Sequence, residues 1–211
     1  FIEFRANWRF REYNGFLVSC ITMAHGQRKY AIGDIYREGS IVGIVVQVTD
    51  DGAHGLLMSL DEGEANWSLK PNGGLFDIVT GFTDYEDGRK NMEKLVYLIN
   101  KMDFSWDHFP AFRWCRNKGE GWYLPAINEL ITINKAIHGG KLEKNKEARK
   151  RFNKILENNG GKKIGRYNVY FSSTEKDEMK AYAIYFVSGI LGYATPNHKR
   201  YKDYVRAVYR F

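Results

Sequence analysis

The chain has 211 residues, of which 44% are hydrophobic and 27% are charged, a composition typical of a soluble globular protein. This composition excludes disorder over most of the chain, and no apolar run reaches the ~20 residues that a membrane-spanning helix needs. The formal net charge is +7, with much of the excess in residues 141–163. Charges of both signs alternate there as on a solvated helix face, and no base-reading module is recognisable. We therefore predict no nucleic-acid partner and no direct membrane insertion.

Aromatic and polar residues alternate over 2–10, and an apolar run follows at 16–23, with the turn signal Tyr13-Asn14-Gly15 between them. This pattern predicts a β-hairpin. We assign 1–27 to an N-terminal segment that packs on the main domain and 28–211 to that domain. No linker rich in proline or serine separates them.

A second hairpin is predicted near the start of the main domain. The Val/Ile-rich run 41–48 has the composition of a buried strand, and 55–60 is its partner across the tight turn 50–52. The following stretch, 61–88, contains several turn signals and is predicted to be loop.

Helices are predicted in the middle of the chain and strands again near its end. The helical segments, which carry apolar residues at helical spacing or charged residues on one face, are 89–100, a short segment 111–116, a helix that begins at Pro125, and 142–158. The later strand candidates are 169–173, 181–187 and 204–211, with a polar loop over 195–202. The order of strands, helices and strands predicts an α+β fold with a mixed or antiparallel sheet built from both chain ends and two or three helices grouped in the middle.

Three ordered segments carry a family likeness: GEGWYLPA at 119–126, YFSSTE at 170–175 and YVRAVYRF at 204–211. Supporting segments lie at 30–36, 52–55, 83–88 and 114–116. Together they resemble a domain-of-unknown-function family of gut Bacteroidales that overlaps the target proteins of diversity-generating retroelements. The resemblance covers about residues 28–211 and implies a C-type-lectin-like fold that is secreted or displayed at the cell surface.

The same motifs have a structural interpretation. Trp122 and Leu124 precede Pro125 and are predicted to anchor a helix start in the core. The hydroxyl groups of 172–174 are predicted to satisfy backbone groups where a strand leaves the sheet. Arg206 alternates with apolar residues, and we predict a partly buried cation paired with Glu129 or Glu175.

The resemblance implies that ligand contacts lie between the serine-rich strand and the closing strand. Tyrosine, asparagine and cationic side chains crowd this interval, and they supply rigid ring area and adaptable hydrogen bonds. The alternative is an ordinary polar loop. The predicted ligand-binding residues are Tyr182, Tyr185, Tyr193, Asn197, His198, Lys199, Tyr201 and Lys202.

We predict no metal, no cofactor and no catalytic residues. Cys20 and Cys115 form neither a disulfide framework nor a metal pattern, and five scattered histidines argue against zinc. The acidic stretch 84–87 is interpreted as a turn. The triplet Thr195-Pro196-Asn197 lacks the carboxylate of the Glu-Pro-Asn motif found in calcium-dependent lectins.

These observations predict a non-enzymatic recognition domain on a bacterial cell surface or phage particle, with a protein or glycan ligand bound through the surface of residues 182–203. A structural or assembly subunit, such as a fimbrial tip or fibre component, is the alternative. An enzyme with a site assembled from distant residues is a third possibility, although no nucleophile-elbow motif is present.

Overall fold

The computed structural model describes residues 12–13, 16–17, 28–49, 51–70, 77–141, 145–165, 167–186 and 194–211. The strands are β1 (Glu12–Tyr13), β2 (Phe16–Leu17), β3 (Ile35–Glu38), β4 (Ile41–Val48), β5 (Gly55–Ser59), β6 (Gly63–Asn66), β7 (Val169–Glu175), β8 (Lys180–Tyr185), β9 (Ala194–His198), β10 (Lys202–Val205) and β11 (Val208–Arg210). The helices are α1 (Gly88–Lys101), α2 (Pro110–Arg116), α3 (Ile127–Ile137) and α4 (Lys146–Asn158). The order of elements confirms the α+β class.

The described residues of the main domain form two sheets where the sequence predicted one. The five-stranded sheet has the order β6-β10-β7-β8-β9, and the four-stranded sheet has the order β11-β5-β4-β3. Every pair is antiparallel except β7 with β10. The predicted strand 204–211 is in fact two strands, because the chain leaves one sheet at Arg206 and enters the other at Val208. The C-terminal residues therefore join both sheets.

The N-terminal hairpin is visible as a backbone pairing. Glu12 lies opposite Leu17 and Tyr13 opposite Phe16, on the two sides of the predicted turn at Asn14-Gly15. The rest of the 1–27 segment, and with it the prediction that this segment packs on the main domain, lies outside the described residues.

Two segments predicted as loops contain strands. β6 lies within 61–88, and β9 lies within the polar stretch 195–202. Pro196 sits in β9, which is an edge strand, the position in a sheet where a residue without a backbone N–H is tolerated. At Gly63, the first residue of β6, the Trp114 indole packs so closely that a Cβ would clash with it.

The helices pack on the sheets through two apolar clusters. The first cluster joins α3 and α4 to both sheets and includes Leu130, Leu156 and Tyr170. The second joins α1 and α2 to the five-stranded sheet around Trp67 and Phe112, whose ring centroids are 5.1 Å apart. Each cluster excludes water from one stripe of each helix, which is the main source of stability for such helices.

The start of α3 is anchored as predicted. Trp122 and Leu124 are buried, and Tyr123 exchanges two backbone hydrogen bonds with Val208 of β11, at 3.0 and 2.9 Å. The Glu129 carboxylate accepts a hydrogen bond from the Ala126 N–H at 2.9 Å, which satisfies a backbone donor that the helix itself leaves unpaired.

The hydroxyl groups of 172–174 have the predicted role. The register of β7 against β8 shifts between Phe171 and Glu175. Within this bulge Ser172 Oγ donates to the Tyr182 carbonyl at 2.8 Å. Thr174 Oγ1 donates to the Asp84 carbonyl at 3.0 Å and accepts from the Ile127 N–H at 3.1 Å. The Ser172 hydroxyl thus keeps β7 bonded to β8 across the bulge, and the Thr174 hydroxyl satisfies backbone groups outside the sheet.

The acidic stretch 84–87 is a turn, as predicted. Asp84 Oδ1 accepts hydrogen bonds from the backbone N–H groups of Glu86 and Asp87, at 2.9 and 2.8 Å. Asp87 caps α1 by accepting from the Arg89 N–H at 3.0 Å. Although burial opposes ionisation, these backbone donors and Lys90 lower the pKa of Asp84.

The predicted partners of Arg206 are wrong. Its side chain is fully buried, and its guanidinium forms an ion pair with Glu62 at 3.0 Å. The same group donates to the carbonyl oxygens of Ser59 and Leu60, both at 3.1 Å, and of Lys162 at 2.7 Å. Two segments of the chain, 59–62 and the one that follows α4, therefore converge on one cation.

Glu129 and Glu175, the partners expected for Arg206, bind other cations. Glu129 Oε1 lies 2.6 Å from Arg210 Nη2, and Glu175 Oε1 lies 2.5 Å from Lys199 Nζ. Arg206 lies at the break between β10 and β11, whereas Arg210 lies in β11. Because of this break, Arg210 and not Arg206 faces Glu129.

Candidate functional site

Four of the predicted ligand-binding residues meet where β9 turns into β10. Tyr201 donates its backbone N–H to the His198 carbonyl at 3.0 Å, which closes a tight turn between the two strands. We call this site the β9–β10 tip and define it as Asn197, His198, Arg200, Tyr201 and Lys202.

The backbone of the tip is fixed by β6 and the residues after it. Asn66 Nδ2 donates to the Arg200 carbonyl at 2.6 Å. The Trp67 N–H donates to the Lys199 carbonyl at 2.9 Å. Since both carbonyl groups of the turn are held, the tip presents its side chains from a backbone with little freedom to rearrange, which lowers the entropic cost of binding.

Lys199, predicted to contact ligand, is instead buried beneath the tip, with 2% of its side chain exposed. Its ammonium donates to the Ile78 carbonyl at 2.8 Å, pairs with Glu175 and lies 4.6 Å from the centre of the Trp67 ring. Burial lowers the pKa of Lys199, against the opposing effect of Glu175. Its removal from solvent corrects the prediction: Lys199 anchors the turn and is not accessible to a ligand.

The exposed side chains of the tip are aromatic and basic. The His198 and Tyr201 rings are 5.2 Å apart, and 47% of Tyr201 is exposed. The Arg200 guanidinium lies 5.6 Å from the centre of the Tyr201 ring. Such a pair of rings with a neighbouring cation provides rigid contact area together with hydrogen-bond donors.

Asn197 faces inward along the tip and binds Asp203. Asn197 Nδ2 donates to Asp203 Oδ2 across the turn. Burial raises the pKa of the Asp203 carboxyl, and the hydrogen bond from Asn197 only partly offsets this effect. The Asn197 amide therefore stabilises the conformation of the tip. The side chain is half-buried, whereas the sequence predicted that it contacts a ligand.

The predicted tyrosines are spread along β8. Tyr182 is half-buried, with its ring 5.6 Å from that of Tyr85. Tyr185 is 39% exposed but lies five residues beyond Lys180, the residue opposite His198. That separation is ~17 Å along a strand, so Tyr185 lies apart from the tip. Tyr193 lies outside the described residues.

A polar cleft of about 550 Å³ adjoins the tip on one face of the five-stranded sheet. Lys202 belongs to both sites, and the other lining residues are Glu62, Gly63, Glu64, Lys162 and Tyr204. Sequence reasoning missed these residues because Glu62, Gly63 and Glu64 lie just before or within β6, which was predicted as loop, and Lys162 follows α4. The alternation of Lys202 and Tyr204 along β10 was the one available signal.

A second, more apolar groove of about 560 Å³ runs along α1. Its walls include Met92 and Val96 on one side and Trp106, Arg116 and Trp122 on the other. The Arg116 guanidinium covers one face of the Trp106 ring at 4.6 Å. Two of the side chains that line the groove therefore already contact each other.

The described residues offer little reactive chemistry. Among them, no three histidine, cysteine, aspartate or glutamate side chains are placed to hold a metal ion. Burial raises the pKa of the Cys115 thiol, which disfavours the nucleophilic thiolate. No helix in the described ranges is long and apolar enough to cross a bilayer.

Comparisons with known proteins give a fold relative and no family assignment. No family model matches the chain, and no curated protein matches it. The crystal structure of a fimbrial protein from Bacteroides ovatus ATCC 8483 is similar, with a TM-score of 0.59 and 18% sequence identity. The match covers 98% of this chain and 57% of that one, so this chain spans little more than half the length of that protein. The two share a fold.

Proposed function

We propose that this chain is a non-enzymatic recognition domain on a bacterial cell surface or phage particle, and that it binds a protein or glycan through the β9–β10 tip. The observation that carries this proposal is the ring pair of half-buried His198 and exposed Tyr201, on a turn whose backbone is fixed by Asn66 and Trp67. Rigid aromatic groups with adjacent cations are typical of recognition surfaces.

A surface location is supported by the similarity to a structure described as a fimbrial protein. At 18% identity this similarity concerns fold. It is compatible with a protein that acts outside the cell, either as an adhesion-type domain or as a structural subunit.

We further propose that the fold is C-type-lectin-like and that the chain is related to Bacteroidales targets of diversity-generating retroelements. This is supported by the placement of the tip between β7, which contains the YFSSTE motif, and β11, which closes the domain. The neighbouring genes test the relation: a reverse transcriptase beside a template repeat of the 182–203 segment is expected, and its absence would contradict it.

The proposal for the tip is tested by replacing its aromatic side chains and measuring binding of the variants to arrays of glycans and cell-surface proteins. We expect the double variant His198→Ala and Tyr201→Ala to lose binding at least about tenfold, because both rings are removed from the contact area. The matched control is Tyr167→Ala, which removes a ring that is 74% exposed outside the tip. Binding that survives the double variant with an intact fold would reject the tip as the site.

A structural or assembly subunit is the second candidate, and the fimbrial neighbour favours it specifically. In this case the N-terminal segment 1–27 would pack with another domain or subunit. Light scattering would then show an assembly for the full chain and a monomer for residues 28–211. Equal masses for the two chains would argue against this role.

A further inference from the structure

We infer that the polar cleft beside the tip binds an acidic sugar, meaning a saccharide ring that carries a carboxylate group. The inference rests on the proposed recognition function and names the class of ligand. Its basis is the set of charges that the fold brings to this cleft.

The cleft side chains share one face because of strand geometry. Lys202 and Tyr204 are two residues apart on β10 and point to the same side of the sheet. Glu64 on β6 lies directly opposite Tyr204. Lys162 reaches the same cleft from the segment after α4. Its backbone is fixed there, since its N–H donates to the Leu60 carbonyl at 2.8 Å.

One carboxylate of the cleft is neutralised within the protein. Glu62 Oε2 pairs with buried Arg206 at 3.0 Å and accepts a hydrogen bond from the Tyr170 hydroxyl at 2.7 Å. Arg206 also holds the Lys162 carbonyl at 2.7 Å. The buried Arg206 guanidinium therefore neutralises the charge of Glu62 and also fixes the backbone of Lys162.

The charges that remain for a ligand are predominantly positive. Within the described parts of the chain, neither the Lys162 nor the Lys202 ammonium lies within ion-pairing distance of a carboxylate. Glu64 is exposed, and its negative charge raises the pKa of the Tyr204 phenol. Two ammonium groups against one carboxylate favour an anionic ligand, which takes ionic hydrogen bonds from the lysines.

The ring of Tyr204 supplies a platform for a sugar. Its ring lies 5.7 Å from that of Tyr170, which in turn stacks on Phe186 at 4.4 Å. The half-buried Tyr204 ring is thus packed against Tyr170, and Tyr204 also lines the cleft. A pyranose can pack its C–H face on such a ring and direct hydroxyl groups to Glu64.

The lining favours a saccharide over an acidic peptide. Apart from Tyr204, the cleft is lined by two lysines, two glutamates and a glycine. A peptide gains most of its affinity from buried apolar or aromatic anchors, for which this cleft has no pocket. A hydroxyl-rich ring suits a lining of this kind because its polar groups find partners.

The test compares matched sugars that differ only in the carboxylate. Isothermal titration of the full chain would use oligosaccharides of glucuronic acid and of glucose at low ionic strength. We expect the acidic series to bind more tightly, and Lys202→Ala and Lys162→Ala each to weaken it at least about fivefold, as for the loss of an ionic hydrogen bond. Tyr204→Leu should weaken it as well.

The control is Lys146→Ala, which removes the same charge from the exposed face of α4. It should bind the acidic sugar like the unaltered chain, and a circular dichroism spectrum should confirm that every variant is folded. The inference is overturned if acidic and neutral sugars bind equally, if neither binds, or if Lys146→Ala weakens binding as much as Lys202→Ala. The tip variants are tested on separate arrays of glycans and cell-surface proteins, so a negative titration result alone leaves the recognition proposal intact. Negative results in both experiments would reject both proposals.

Discussion

Lys199 Nζ and Glu175 Oε1 lie 2.5 Å apart beneath the β9–β10 tip, and both side chains are buried. The Glu175 carboxylate also accepts the backbone N–H groups of Thr80 and Gly81, each at 2.8 Å. One ion pair thus links the turn of the candidate recognition surface, the end of β7 and the loop that leads into α1. The stability of the tip depends on residues that a ligand never touches.

Replacing Lys199 with methionine should therefore destabilise the protein by about 3 kcal/mol, because Glu175 would keep a buried charge without its cation. Adding Glu175→Gln should recover part of this loss, since the double variant has no unpaired charge. Urea denaturation of the two single variants and the double variant measures the coupling. The exposed Lys202→Met is the matched control and should change stability by less than ~0.5 kcal/mol. Strictly additive effects would show that the pair is not coupled.

Arg206→Lys should be nearly as harmful as loss of the cation, at about 3 kcal/mol. A lysine has the charge but lacks the planar fork that reaches Glu62 and the Ser59 and Lys162 carbonyl groups together. Chemical denaturation measures the effect. Arg200→Lys, at an exposed position, is the control, and equal stability of the two variants would contradict the importance of the fork.

Thr174→Val should cost about 1–3 kcal/mol although the two side chains have the same shape. The substitution leaves the Ile127 N–H without its hydroxyl partner, whereas the Asp84 carbonyl keeps its hydrogen bond from Asn91. Thr132→Val removes a hydroxyl that bonds to the Asn128 carbonyl in the half-buried part of α3, and it should cost less than ~0.5 kcal/mol. Thermal melts of both variants decide; similar melting points would show that the bulge does not need the hydroxyl.

Asp203→Asn should change the pH dependence of stability. Burial raises the pKa of Asp203 above its ordinary value, so between these two values the folded state holds more protons than the unfolded state. The contribution of Asp203 is therefore fully favourable below its ordinary pKa and is lost as the pH rises through its folded pKa. We expect Asp203→Asn to melt at a higher temperature than the unaltered protein at pH 7 and at the same temperature in strong acid. A pH-independent difference would contradict the role of burial.

Much of the fold could be predicted because its strands and helices have local signatures. The β-branched run of β4, the apolar stripe of α1 and the proline before α3 each specify their own element. β9 was missed because Pro196 and its polar neighbours read as a loop, and its pairing with β8 is a tertiary effect. The break at Arg206 was missed since nothing in a run of alternating residues tells which sheet each half joins.

The candidate site was only partly predictable, for a similar reason. His198 and Tyr201 are neighbours in sequence and in space, so a local reading sufficed. The burial of Lys199 depends on Trp67 and Glu175, which are distant in the chain. A sequence shows which side chains are charged, but it does not show which partner neutralises each of them.

The division of the C-terminal residues between two sheets has a consequence for biogenesis. β10 inserts between β6 and β7, and β11 pairs with β5, so neither sheet is complete without residues 202–210. Pairings between such distant parts of a chain form slowly. A nascent polypeptide emerging from the ribosome would therefore complete neither sheet until these strands are synthesised.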